Sequence, residues 1–173
     1  ALMHFHEARG TARTDNEGNA VLLDDQDRSL WDQDHIARAY TYLDRALARE
    51  SPGPYQIQAA ISAVHIDAAT ADETDWQQIA ALYGSLRRHI DSPIVHLNHA
   101  VAVAQATEPA NGLTMIDTIT GLDDYPYFHA ARASLLRESG DIPGAATAFA
   151  KARDVSTSEA QRRFFNRSLD ALG

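Results

Sequence analysis

The residues best equipped for chemistry in this chain are eight histidines and a crowd of aspartates. His4 and His6 stand two apart, and His96 and His99 stand three apart, so the second pair would share one helix face as zinc ligands can. No His-Glu-x-x-His run, no cysteine and no carboxylate at a fixed spacing accompanies either pair. We therefore read them as surface or groove histidines and assign no metal. Asp15-Asn-Glu-Gly18-Asn19 resembles the opening of a calcium loop. Its sixth and twelfth positions hold Ala20 and Gln26, where Gly and Glu are required, so turn chemistry is the better reading. Asp24, Asp25, Asp27, Asp32 and Asp34 surround Arg28 and Trp31. Two carboxylates could share acid–base work, but no nucleophile, Gly-rich phosphate loop or Gly-x-Ser-x-Gly elbow accompanies them. The expectation is no catalytic residue, no cofactor and no enzyme. Trp31 is expected to anchor this acidic segment on the first helical layer, with Asp27 and Arg28 hydrogen-bonded to the helices.

The elements that must position these groups are helical. Ala100, Val103, Thr107, Gly112, Ile116 and Ile119 recur about 33 residues later as Ala133, Leu136, Gly140, Ala145, Phe149 and Ala152. The second set follows a tetratricopeptide pattern: a small residue where two helices touch, a turn glycine, then Ala-x3-Phe-x2-Ala on the return helix. About nine helices are expected, over 2–10, 35–49, 54–69, 75–90, 93–107, 109–119, 126–139, 143–155 and 158–172. Thr74-x-x-Gln77 and Ser156-x-x-Glu159 look like capping boxes, and Ser92 and Asp141 look like N-caps. Turn residues 15–19 between two short extended runs predict a small β-hairpin within 11–23. The fold class is thus all-α, a tetratricopeptide-like superhelix of antiparallel hairpins with a β-hairpin near the start. Residues 1–34 form a helix end, hairpin and acidic linker, and residues 35–173 form the helical domain. The last helix, with Arg162, Arg163 and Arg167 on its wet face, closes the stack.

Bulk properties narrow the partners. Hydrophobic and charged fractions of 45% and 23% are those of an ordinary soluble chain. The net charge of −9 argues against a nucleic-acid surface and against anionic membranes. There is no apolar run of about 20 residues. The lack of cysteine fits a cytoplasmic location. The opening Ala1-Leu-Met-His-Phe-His, without an initiator Met, reads as a fragment whose N-terminal part has been removed. One departure from the repeat stands out. His99 and Arg132 fill slots where a tetratricopeptide unit has a large apolar residue, and Asn98 precedes the first. A basic group there needs a partner. Arg132 could pair with Asp25 or Asp27, or Gln58, Asn98, His99 and Arg132 could line a polar groove for a partner segment.

These residues carry a family likeness. The run Leu2-Met-His-Phe-His-Glu-Ala-Arg9, then Val21-Leu-Leu-Asp-Asp-Gln-Asp-Arg28-Ser-Leu-Trp31-Asp32, resembles the C-terminal extension of one group of extracytoplasmic-function sigma factors. Pro52-Gly-Pro-Tyr55-Gln-Ile-Gln58, Asp75-Trp76-x-Gln78 and Leu97-Asn98-x-Ala100-Val-Ala-Val103 agree with it, and the likeness covers essentially the whole chain. His99 stands where that group carries Arg. The resemblance implies a regulatory, protein-binding module of a sigma factor. Its partners would be the sigma domains missing from this fragment and core RNA polymerase, with promoter DNA reached only through those domains and no membrane. The contact set would be Asp25, Gln26, Asp27, Arg28 and Trp31 together with Gln58, Asn98, His99 and Arg132. The alternative is a free-standing tetratricopeptide scaffold that binds peptides.

Overall fold

Prolines and short polar side chains punctuate the chain at helix starts, and the helices follow that punctuation. The computed structural model describes residues 1–16, 18–49 and 51–173. Among them lie nine α-helices: α1 (Leu2–Ala8), α2 (Gln33–Leu47), α3 (Pro54–Asp67), α4 (Trp76–Leu86), α5 (Pro93–Ala106), α6 (Pro109–Ile116), α7 (Pro126–Glu138), α8 (Ile142–Asp154) and α9 (Glu159–Asp170). Pro54, Pro93, Pro109 and Pro126 each occupy the first helical position, where a missing N–H costs nothing. No helix of the described residues is long and apolar enough to cross a membrane.

The caps differ in part from the sequence reading. Asp32 caps α2, accepting the His35 N–H at 2.9 Å, so that helix opens at Gln33 and not at His35. Asp75, not Thr74, caps α4 through the Gln78 N–H at 2.9 Å. Ser158 caps α9, while Ser156 turns back to the Ala152 carbonyl at 2.7 Å. Asp141 caps α8 through Gly144 as expected, whereas Ser92 makes no side-chain cap. At α4 the aspartate prevails over the neighbouring threonine because a charged acceptor at a helix N-terminus also meets the helix dipole.

The expected β-hairpin does not form. Thr14 and Ala20 make one isolated antiparallel bridge, and no strand occurs among the described residues. The Asp15 carboxylate takes both the Asn19 backbone N–H at 2.8 Å and its side-chain amide at 2.9 Å. That satisfies the turn locally. Short 3-10 turns at Gly10–Ala12 and Leu23–Asp25 then end any extension of the ladder. Glu17, within this turn, lies outside the described residues.

The chain divides into two units, Ala1–Ile90 and Asp91–Gly173. In the first, α1 packs on both α2 and α3. Its C-terminal end meets the start of α2, with the Asp32 N–H donating to the Ala8 carbonyl at 2.9 Å. Its middle residue Phe5 is fully buried among Ala39, Leu43, Ala59 and Ala63. Hence α1 runs antiparallel to α2 and parallel to α3. The acidic segment is built into this unit.

In the second unit α5–α6 and α7–α8 form hairpins, and α9 packs on α8. Most of the repeated positions are buried, Ala100, Gly112 and Ile116 in one hairpin and Ala133, Leu136, Ala145, Phe149 and Ala152 in the next, while Val103 and Ile119 are half-buried and Thr107 and Gly140 exposed. Gly140, at φ 87°, closes α7 in a left-handed turn. The Asp141 N–H reaches the Leu136 carbonyl at 2.9 Å and the Gly140 N–H the Arg137 carbonyl at 3.0 Å. A β-carbon on Gly112 would stand 2.8 Å from the Ala100 carbonyl oxygen and 2.5 Å from Ala104 Cβ, so glycine sets the closest approach of α5 and α6. Phe165 of α9 is fully buried against the α7–α8 hairpin.

Candidate functional site

The acidic segment is clamped, not free. Trp31 is 5% exposed and packs with Ala8, Ala12 and Ile36. Arg28 lies over its ring, the guanidinium carbon 4.7 Å from the centroid, and donates Nη1 to the His65 carbonyl at 2.9 Å. That carbonyl belongs to the last turn of α3, where carbonyls lack intrahelical partners, so a cation sits at the negative end of the helix. Gln26 is buried and donates to the Val21 carbonyl at 3.3 Å. Asp25 and Asp27 are exposed.

Asp27 does not reach the helices as expected. Its Oδ1 accepts from the Ser29 hydroxyl at 2.6 Å and the Ser29 N–H at 2.9 Å, capping its own short turn. These bonds, the hydroxyl first, hold its carboxyl below the usual range. Asp24 is pushed up by partial burial and by Asp25, with Arg28 opposing. Arg9 and Arg28 both lie near His65. Burial, then these two cations, lower the His65 imidazole to about 4, so it is neutral near pH 7. Arg28 Nη2, Trp31 Nε1 and His65 Nδ1 are buried without a hydrogen-bond partner among the described residues.

A second feature of this unit is an open, largely apolar trough of about 800 Å³ at the start of α1. Leu2, Met3, Tyr42, Leu43, Ala46 and Tyr55 are among its apolar lining, with His4, His35, Gln56 and Glu7 as polar members. Met3 is 85% exposed, Tyr55 75% and Tyr42 51%, an unusual cluster of bare apolar surface. His4 Nδ1 meets His35 Nδ1 at 3.1 Å, so one ring donates and the other accepts. His4 also stacks on Tyr42, with ring centroids 5.5 Å apart. His6 turns away to Arg13, whose Nη2 stands 3.2 Å from its Nδ1. Sequence reasoning missed this trough. The available signal was that Tyr42 and Tyr55 fall off the inward stripes of Ala39 and Leu43 on α2 and of Ile57 and Ile61 on α3.

The remaining candidates fall in both units. Gln58 is half-buried on α3, its carbonyl accepting the Ser62 hydroxyl at 3.1 Å. Asn98 is exposed and His99 half-buried on α5, which packs on α7, the helix that carries Arg132. Arg132 finds its acid within its own unit. Its Nε meets Asp117 Oδ1 at 3.3 Å, because the residue that follows α6 is already beside α7. His96 pairs with Asp91 at 2.9 Å. Among the described residues no three His, Cys, Asp or Glu side chains are grouped to hold a metal ion.

Residues 1–47 match a family described as a family of unknown function, DUF6596. Over 173 residues, 99% of the chain, the sequence is 40% identical to the uncharacterized protein R00370 of Rhizobium meliloti (strain 1021). The chain spans 41% of the length of that relative. No solved structure matches it.

Proposed function

We propose that this chain is a regulatory, protein-binding module of an RNA polymerase sigma factor, built from tetratricopeptide-like hairpins. The observation that carries the reading is the clamped acidic segment. Arg28 and Trp31 fix its backbone to α3 and to the α1–α2 layer, leaving Asp25, Asp27, Leu22 and Leu30 exposed. An ordered ridge of carboxylates and leucines, built from short 3-10 turns on an α-helical base, is a preformed epitope, and preorganisation lowers the cost of binding. The net charge of −9 suits contact with the basic surfaces of transcription proteins and disfavours direct DNA binding. The sigma identity itself comes from the likeness of the Asp-Gln-Asp-Arg and Leu-Asn-x-Ala-Val-Ala-Val runs. The tetratricopeptide-like reading is supported by α7–α8, where Ala133, Ala145, Phe149 and Ala152 are buried around the Gly140 turn.

In this reading the segment and the hairpins contact the sigma domains or core polymerase and set whether the factor is competent. The test is transcription from its own promoter by the full-length protein with core polymerase. Deleting residues 35–173, and separately Asp25→Asn with Asp27→Asn, should change promoter output several-fold. Unaltered output in both removes the regulatory role.

A further inference from the structure

We propose that the trough at the start of α1 is the seat of the segment that precedes Ala1 in the longer protein, held there as a helical continuation of α1. The inference rests on the reading above, in which the sigma domains lie upstream. Because α1 runs antiparallel to α2 and parallel to α3, its N-terminal end points along the α2–α3 hairpin toward Ala46 and Tyr55. Leu43 and Ala59 mark where the packing of α1 ends, for both belong to the Phe5 cluster and both line the trough. Beyond them the apolar faces of α2 and α3 continue bare, with Tyr42 and Tyr55 at the rim. A helix extended by one or two turns from α1 would lay its inward stripe there. That stripe, Leu2 and Phe5 in α1, calls for apolar residues three or four positions ahead of Leu2 and again a turn earlier. The relative of R. meliloti, of which this chain spans 41%, has the length to supply such a segment.

The occupant links two parts of the molecule. A sigma domain joined rigidly to α1 would transmit its orientation to the trough, and displacing the helix would free the domain from the module.

Thiol protection in the full-length protein tests this. The 173 residues contain no cysteine, so Tyr55→Cys, Tyr42→Cys and, as control, Tyr127→Cys each place one thiol in this region. Tyr127 is 49% exposed, less than either trough tyrosine. Maleimide labelling, mapped by mass spectrometry, should be at least about ten-fold slower at Tyr42→Cys and Tyr55→Cys than at Tyr127→Cys. Equal or faster labelling overturns the proposal. So does protection that disappears on hundred-fold dilution, which would mean that a second copy covers the trough. Tyr55, the more exposed of the two, serves if Tyr42→Cys misfolds. Slow labelling without promoter-dependent transcription would keep the seat and remove the sigma role, and transcription with fast labelling would do the reverse.

Discussion

His65 is the residue on which pH acts most directly. Its folded-state pKa of about 4 lies below the ordinary 6.5, so folding disfavours its protonated form. Above pH 6.5 both states hold it neutral and it contributes no pH dependence. As pH falls through 6.5 toward 4 the unfolded chain gains a proton that the folded chain refuses, and stability declines. The loss should reach about 2 kcal/mol by pH 5, read as a drop in the urea midpoint between pH 7 and pH 5. His65→Leu should flatten that slope, and an unchanged slope refutes the assignment. Trp31→Ala should cost about 3–5 kcal/mol, because it empties the cluster of Ala8, Ala12 and Ile36 and removes the ring beneath Arg28. By contrast Arg132→Ala should cost less than about 1 kcal/mol in chemical denaturation, since its partner Asp117 is well exposed. The role of Trp31 as anchor was legible because a lone tryptophan in a run of aspartates has few other uses. His65 was not, because its neutrality depends on Arg9 and Arg28, whose approach only the fold reveals. The partner of Arg132 was hidden for the same reason: sequence shows that a basic group in an apolar slot needs an acid, but not that the acid is Asp117.

At the scale of elements, the second unit was readable from its period. Ala100 and Ala133, Gly112 and Ala145, and Ile116 and Phe149 are buried alike because each hairpin presents the same face to its neighbour. Gly112 shows where the period departs from uniformity. It stands where the next hairpin has Ala145, yet a methyl there would press on the Ala100 carbonyl, a backbone atom that cannot swing aside. Gly112→Ala should lower stability by about 1–3 kcal/mol, seen as a lower melting temperature, and an unchanged one would mean that α5 and α6 separate freely. The β-hairpin failed because period-2 patterning over a few residues is weak evidence, and a single carboxylate satisfied the turn without a ladder. The start of α2 shifted because Asp32 caps it, and α4 and α6 end at Leu86 and Ile116, short of the expected 90 and 119. The last helix buries Phe165 on α8 and exposes Arg163 and Arg167, while Arg162, its side chain 41% exposed, pairs with Glu159 and also donates to the Ser156 carbonyl at 2.7 Å.

For the molecule as a whole, the segment at 24–31 is joined to the rest by more than its own neighbours. The clasp that Arg28 throws over the last turn of α3 comes from 37 residues earlier in the chain. A helix usually owes its ending to the residues beside it; this one is finished off by a distant hand. Any partner that grips the acidic ridge therefore also holds one end of α3, and a pull on the ridge would fray that helix from its far tip. The ridge and the hairpin beneath it yield together or stay together, which makes the ridge a lever on α3.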